Sequence, residues 1–235
     1  MTDKNITIAR SMYYEFFALP LFFSEDSSKF YKWKEQLIYL KASPIDPSNS
    51  KDFEILESFS FDEFKIEQNS VLFDYSYANV PLTASFYNEG RDDGKMRLMV
   101  VNITRKSKFR RDTELCKDSE DFIGFIFYLM SSILRDEIGS NSFLSSELFA
   151  SVINDFVDEF CELLKSSKRS KFYLHLANLM ESFFSFERAV LGADAPKKER
   201  SLAKESISKN PSFTRENESK IKYDISGIEF YDNIE

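Results

Sequence analysis

Apolar residues return at every third or fourth position through two long stretches, and that spacing lays them along one side of an α-helix. Leu144, Leu148, Val152, Phe156, Phe160 and Leu163 predict a helix over about 143 to 166. Phe172, Leu176, Leu179, Phe183, Phe186 and Val190 predict another over about 170 to 191, with Gly192 as its stop. Stripes of this kind are core packing, not a cofactor box, so each helix needs partners to cover it. The chain of 235 residues holds only 6 Gly and 6 Pro, too few for the turns of a sandwich or barrel. Its 25 Phe and 11 Tyr are enough apolar surface for a substantial core. The fold class is therefore all-α, a single-domain helical bundle.

The remaining elements follow from the same period and from caps. Ile6, Ile8, Met12, Tyr13, Phe16 and Phe17 make a stripe within 6 to 23 that Pro20 ends or kinks. Phe30, Trp33, Leu37 and Leu40 predict a helix over 27 to 41, and the Pro, Asn and Ser cluster at 43 to 50 reads as a surface loop. Ser60 and Glu63 form a capping box that starts a helix near 61, running to about 74. Residues 82 to 104 form a helical pattern that Gly90 and Gly94 break near 91 to 94. RKSKFRR at 105 to 111 reads as a solvated basic loop. Asp118 is then expected to cap the next helix, with Glu120 and Asp121 in its first turn. From 196 to 235 the composition becomes polar, which predicts a flexible tail after a helical domain of 1 to 195. Residues 197 to 235 carry eight basic and eight acidic side chains, so the formal charge of −8 belongs to the body. Ile225, Ile228, Phe230, Tyr231 and Ile234 are a terminal apolar group able to dock back or meet a partner.

Several kinds of chemistry are excluded by inventory. One His (His175) and two Cys (Cys116 and Cys161) are too few for a four-ligand Cys/His zinc site, and both thiols read as buried side chains. An acidic chain without a long basic stripe is poorly suited to neutralising phosphates, so nucleic acid is not an expected partner. The apolar run Phe122 to Leu134 is 13 residues, short of the ~20 that cross a bilayer. With no cleavable signal pattern in the first dozen residues, the expected location is cytoplasmic. The sequence carries no phosphate-binding glycine loop, nucleophile elbow or His-x-x-x-His pair, and the protein is expected not to be an enzyme.

Two segments carry a different signal. PLTASFYNEG occupies 81 to 90, and DSEDFIGFIFYLM occupies 118 to 130. In this order and spacing they resemble the two motifs of the TorD/DmsD/NarJ family of redox-enzyme maturation proteins, the molybdoenzyme-specific chaperones. The first resembles the family's Glu-Ser…Tyr…Glu-Gly segment, matched at Ser85, Tyr87, Glu89 and Gly90. The second resembles its acidic motif helix, matched at Asp118, Glu120, Asp121, Ile123, Phe125, Leu129 and Met130. YYEFFALPLF at 13 to 22, Leu72-Phe73 and FYLHLANLMESFFSFE at 172 to 187 add support, and the resemblance spans about residues 9 to 191. Three departures stand out: Phe122 replaces the usual His, Ile126 the usual Glu, and Ala84 the Glu before Ser85.

The resemblance implies a TorD-like helical bundle that binds the N-terminal leader of a molybdenum (molybdopterin) oxidoreductase catalytic subunit. Such a protein holds the apoenzyme for cofactor insertion before export. The client is a formate dehydrogenase, a dimethyl sulfoxide or trimethylamine oxide reductase, or a nitrate reductase, with formate dehydrogenase placed first. A twin-arginine leader presents two guanidinium groups and then an apolar stretch, so its receptor needs carboxylates beside an apolar wall. Glu89, Asp118, Glu120 and Asp121 are the candidate carboxylates; Phe122, Phe125 and Leu129 are the candidate wall, with Ser85 and Tyr87 as polar neighbours. The alternatives are a nitrate-reductase-type chaperone for a non-exported subunit, an unrelated helical adaptor, and a small-molecule binder. No cofactor or metal is expected. Guanine nucleotide is associated with some members of the family, without a motif for it here. Monomer and domain-swapped dimer are both open.

Overall fold

The computed structural model describes residues 4–74, 79–112, 114, 117–140 and 142–209. Among them the chain forms α1 (Lys4–Ala18), α2 (Ser27–Ala42), α3 (Ser50–Ser58), α4 (Phe61–Gln68), α5 (Ala84–Glu89) and α6 (Lys95–Lys106). These are followed by α7 (Ile123–Glu137), α8 (Leu144–Leu148), α9 (Asn154–Ser166), α10 (Phe172–Leu191) and α11 (Leu202–Lys209). No strand is present among the described residues; one isolated antiparallel bridge joins Thr83 to Phe122. The all-α expectation holds.

The centre of the bundle is α1 lying along α7, with α10 packed on α9 and α3. Tyr14, Phe16, Phe17, Phe127, Phe156, Phe183 and Phe184 meet there, all fully buried. Each such ring contributes roughly 1.5–3 kcal/mol by leaving water. Phe16 stacks on Trp33 at 5.0 Å, and Trp33 Nε1 donates to the Phe16 carbonyl oxygen at 3.0 Å, which fixes α2 against α1. α1 ends where Pro20 was expected to end it, passing into a 3-10 turn over Leu19–Leu21. Gln68 Nε2 and the Tyr173 hydroxyl both donate to the Pro20 carbonyl oxygen, so the turn is held from α4 and α10.

A buried ion pair crosses the bundle. Arg10 Nε and Nη2 donate to the two carboxylate oxygens of Glu187 at 2.6 and 2.7 Å, and the Tyr14 hydroxyl adds a third bond at 3.0 Å. Burial works against the Arg10 charge, but the paired hydrogen bonds and charge of Glu187 outweigh it and raise its proton affinity. Glu67 accepts from the backbone N–H groups of Lys171 and Tyr173 at the start of α10, satisfying donors that a helix N-terminus leaves unpaired.

Four expectations need correction. The 43 to 50 stretch is not all loop: it closes in a 3-10 turn over Pro47–Asn49 and leads straight into α3, which buries Phe53 and Leu56. The helices expected over 61 to 74 and 143 to 166 each contain a wider π turn, at Asn69–Phe73 and Phe149–Ile153. α7 begins at Ile123 with Phe122 at its N-cap, so Asp118, Glu120 and Asp121 precede the helix instead of opening it. The tail expected from 196 does not begin there as a free segment. Residues 198 to 209 lie on the body and form α11 against α5, because Ala203 is fully buried and Lys198, Ser201 and Lys204 bond to acids of α9. The terminal apolar group at 225 to 234 lies outside the described residues.

The candidate leader-binding region

The two motif segments, far apart in sequence, are tied together by backbone. Ala84 N donates to the Asp121 carbonyl oxygen at 2.8 Å, and Ile123 N donates to the Leu82 carbonyl oxygen at 2.8 Å. Asp121 adds its side chain: Oδ2 accepts from Ser85 N at 3.2 Å and Oδ1 from Ser119 Oγ at 2.5 Å. Its fully buried carboxylate thus satisfies a backbone N–H at the start of α5, across the junction. Two residues after Ser85, the Tyr87 hydroxyl donates to the Pro81 carbonyl oxygen at 2.7 Å. Burial first, then the negative field of Glu159, pushes the Tyr87 phenol well above its usual value, so it stays a neutral donor.

Glu89 and Glu120 are also engaged within the protein. Glu89 Oε1 accepts from Lys95 N at 2.5 Å, capping α6, while Oε2 pairs with Arg91 at 2.8 Å. The backbone bond from Lys95, helped by Arg91, holds the Glu89 carboxyl below the usual range. A Cβ at position 94 would stand 2.6 Å from Glu89 Oε1, so Gly94 is what lets the carboxylate reach the helix end. Glu120 lies between two guanidinium groups, Arg97 Nε at 2.7 Å and Arg111 Nη2 at 3.0 Å. Burial raises its proton affinity, but the Arg97 hydrogen bond and both positive charges outweigh this and lower it. Arg111, expected on a solvated loop, has only 15% of its side chain exposed. Asp118 is exposed, and its carbonyl oxygen accepts from Arg111.

The apolar candidates divide by depth. Phe122 is 3% exposed, its ring edge-on to Phe22 at 5.1 Å, and Leu129 is 3% exposed in the core. Phe125 is half-buried against the same core, and Tyr128 beside it is exposed. Ser85 is fully buried, with Oγ lacking a hydrogen-bond partner among the described residues. The structure therefore brings the sequence-derived residues to one region. Ser85, Tyr87, Asp121, Phe122 and Leu129 lie inside it; Glu89, Asp118, Glu120 and Phe125 lie nearer its surface.

Sequence reasoning passed over an acidic edge next to this region. Asp155, Asp158, Glu159 and Glu162 fall at i, i+3, i+4 and i+7 on α9, and Asn88 of α5 donates to Asp155 at 3.2 Å. The same spacing belongs to the solvent side of any amphipathic helix, so by itself it carries no signal of a site. A larger cleft of about 660 Å³ opens between the N-terminus of α1 and the α7–α8 connection, lined by Lys4, Thr7, Arg10, Glu137, Phe143 and nearby serines. Arg10 at its floor is already committed to Glu187. No group of acids, His and Cys among the described residues is placed to hold a metal ion. His175 Nδ1 lies 2.7 Å from Asp52 Oδ1 and joins α10 to α3. Cys161 is buried and its thiol pushed up by desolvation, leaving it inert; Cys116 lies outside the described residues. No helix among the described residues is long and apolar enough to cross a membrane.

No family model matches the sequence, and no curated protein matches it. Among solved structures, the chain is similar to a protein of Archaeoglobus fulgidus provisionally described as a redox enzyme maturation protein. The two share 16% identity with a TM-score of 0.54, over 74% of this chain and 93% of that one. The likeness establishes architecture: this chain has the all-α fold of the archaeal protein, the fold that its two motif segments led us to expect.

Proposed function

We propose that the protein is a cytoplasmic chaperone, not an enzyme, that binds the N-terminal leader of a molybdenum oxidoreductase subunit and holds the apoenzyme for cofactor insertion before export. The observation that carries the reading is the junction itself. The two segments resembling the family motifs meet through three hydrogen bonds, on a fold shared with a protein described as a redox enzyme maturation protein. Binding is reversible and non-covalent. Asp118, Glu120 and Glu89 supply negative charge to the leader's cations; Phe125 supplies apolar contact. Ser85, Tyr87, Asp121, Phe122 and Leu129 hold the surface in shape. Formate dehydrogenase is the client we would test first.

One observation favours a second reading. Glu89 and Glu120 already pair with Arg91, Arg97 and Arg111, so a leader's arginines would have to displace the protein's own. That suits a nitrate-reductase-type chaperone whose client leader lacks twin arginines. Calorimetric titration with synthetic molybdoenzyme leaders, with and without paired arginines, at two salt concentrations, separates the readings. Saturable binding that is lost with the arginines and weakened by salt supports the export-linked chaperone. Binding indifferent to the arginines supports the second reading, and no binding to any leader refutes both.

A further inference from the structure

The acidic edge of α9 is covered by a basic stretch of the same chain. Lys198 Nζ reaches Asp155 at 3.2 Å and, at 3.3 Å, the carbonyl oxygen of Tyr87. Ser201 Oγ donates to Glu159 Oε1, and Lys204 Nζ meets Glu162 at 2.5 Å. Two cations six residues apart thus land on a line of carboxylates spaced along one helix. Cavities of about 370 and 350 Å³ flank the stretch, the first along α9 and the second reaching Tyr87 and Asn88.

Two details distinguish this contact from a chance surface pairing. Glu159 is 9% exposed, and its Oε2 is buried without a hydrogen bond, 3.7 Å from Lys198 Nζ. A nine-tenths buried carboxylate oxygen facing the groove, short of its donor, is a place where a better-positioned cation or N–H would bind more tightly. The other detail is Gly90, the left-handed residue that ends α5 at φ 69. Its carbonyl oxygen accepts from Ser206 Oγ at 2.6 Å, and a Cβ there would lie 3.1 Å from the Leu202 carbonyl oxygen. The α5 terminus is thus shaped for a helix to lie against it.

We propose that the groove between α5 and α9 is a binding site for a basic peptide segment, filled here by the chain's own residues 198 to 209, which must leave before an external basic peptide can enter. Asp155 and Glu162 hold cations at its two ends, and Glu159 takes a hydroxyl or N–H between them. The internal segment sets a threshold, because a competitor sees only the fraction of molecules whose groove is open. This site does not depend on the identity of the client.

The test uses the full chain and a labelled synthetic peptide, PKKERSLAKESISK, copied from residues 196 to 209. The variant Lys198→Ala/Ser201→Ala/Lys204→Ala changes only side chains on the covering segment and leaves the groove intact. Fluorescence anisotropy should show the variant binding the peptide at least ~10-fold more tightly than the wild type, through a larger open fraction. Adding Asp155→Asn and Glu162→Gln to the variant should remove that binding. In the wild type, excess peptide should lower amide hydrogen-exchange protection over 204 to 208. Equal affinity of variant and wild type, absence of binding to either, or binding that survives the two acid substitutions would each overturn the proposal. Circular dichroism on every variant confirms that the fold is retained.

Discussion

Removing the Asp121 side chain tests whether the two motif segments are held together as described. In Asp121→Ala the Ser85 N–H loses a charged acceptor inside the protein, and the Ser119 hydroxyl loses another. Hydrogen bonds to charged groups contribute roughly 1.5–3 kcal/mol each, and a buried donor left unpaired costs roughly 1–3 kcal/mol. The Ala84 to Asp121 backbone bond survives the substitution. Taking one charged bond at full value and the more exposed Ser119 bond at little, we expect a loss of about 3 kcal/mol. Asp121→Asn keeps an oxygen for Ser85 N and should lose about half as much. Asp118→Ala removes an exposed side chain and should cost less than ~0.5 kcal/mol. In equilibrium urea unfolding followed by circular dichroism, a slope of ~2.5 kcal/mol/M places the Asp121→Ala midpoint about 1.2 M below wild type, slope unchanged. A loss below 1 kcal/mol for Asp121→Ala, or an equal loss for Asp118→Ala, would refute the reasoning.

Two further outcomes follow from charge placement. Glu187→Gln leaves the buried Arg10 guanidinium without its counter-charge, which should cost about 3 kcal/mol and lower Tm by roughly 6–12 °C in calorimetry; a shift under 2 °C would contradict the buried pair. Because the Glu120 carboxyl is held below its usual value of 4.5, its contribution to stability is present above that pH and lost as pH falls through the lower folded value. The Tm gap between wild type and Glu120→Gln should therefore be constant at neutral pH and shrink as the pH falls below 4.5; a gap that widens on acidification would reverse the sign.

Much of the fold was legible in the sequence because helix formation follows a local period. The stripe from Phe172 to Val190 marked α10, ended by Gly192 as expected. Ser60 and Glu63 form the capping box read from their spacing, with Glu63 Oε2 accepting from Ser60 N at 2.8 Å. The break at 91 to 94 separates α5 from α6, with Gly90 ending α5 in the left-handed region and Gly94 at the N-cap of α6. α3 escaped notice because its two buried apolar positions, Phe53 and Leu56, lie within a single turn and so set up no repeating stripe.

The candidate site was half legible. Sequence order brought Ser85, Tyr87, Asp118, Glu120 and Asp121 to attention, but not which of them face inward. Asp121 was expected on the first turn of a helix facing a ligand; it is instead fully buried and caps α5. The residues of 198 to 209 looked like a solvated tail because their charges find partners on α9, about forty positions earlier in the chain. Helix class and the amphipathic faces are set by neighbours three or four residues apart, and the sequence alone determined them; the start of α7 and the two π turns were decided by packing. The Arg10–Glu187 pair spans 177 positions, the Asp121–Ser85 tie 36, and the cover over α9 about 42. Only tertiary packing decided these, because a charge has no local signal for the partner that will pair with it once water is excluded.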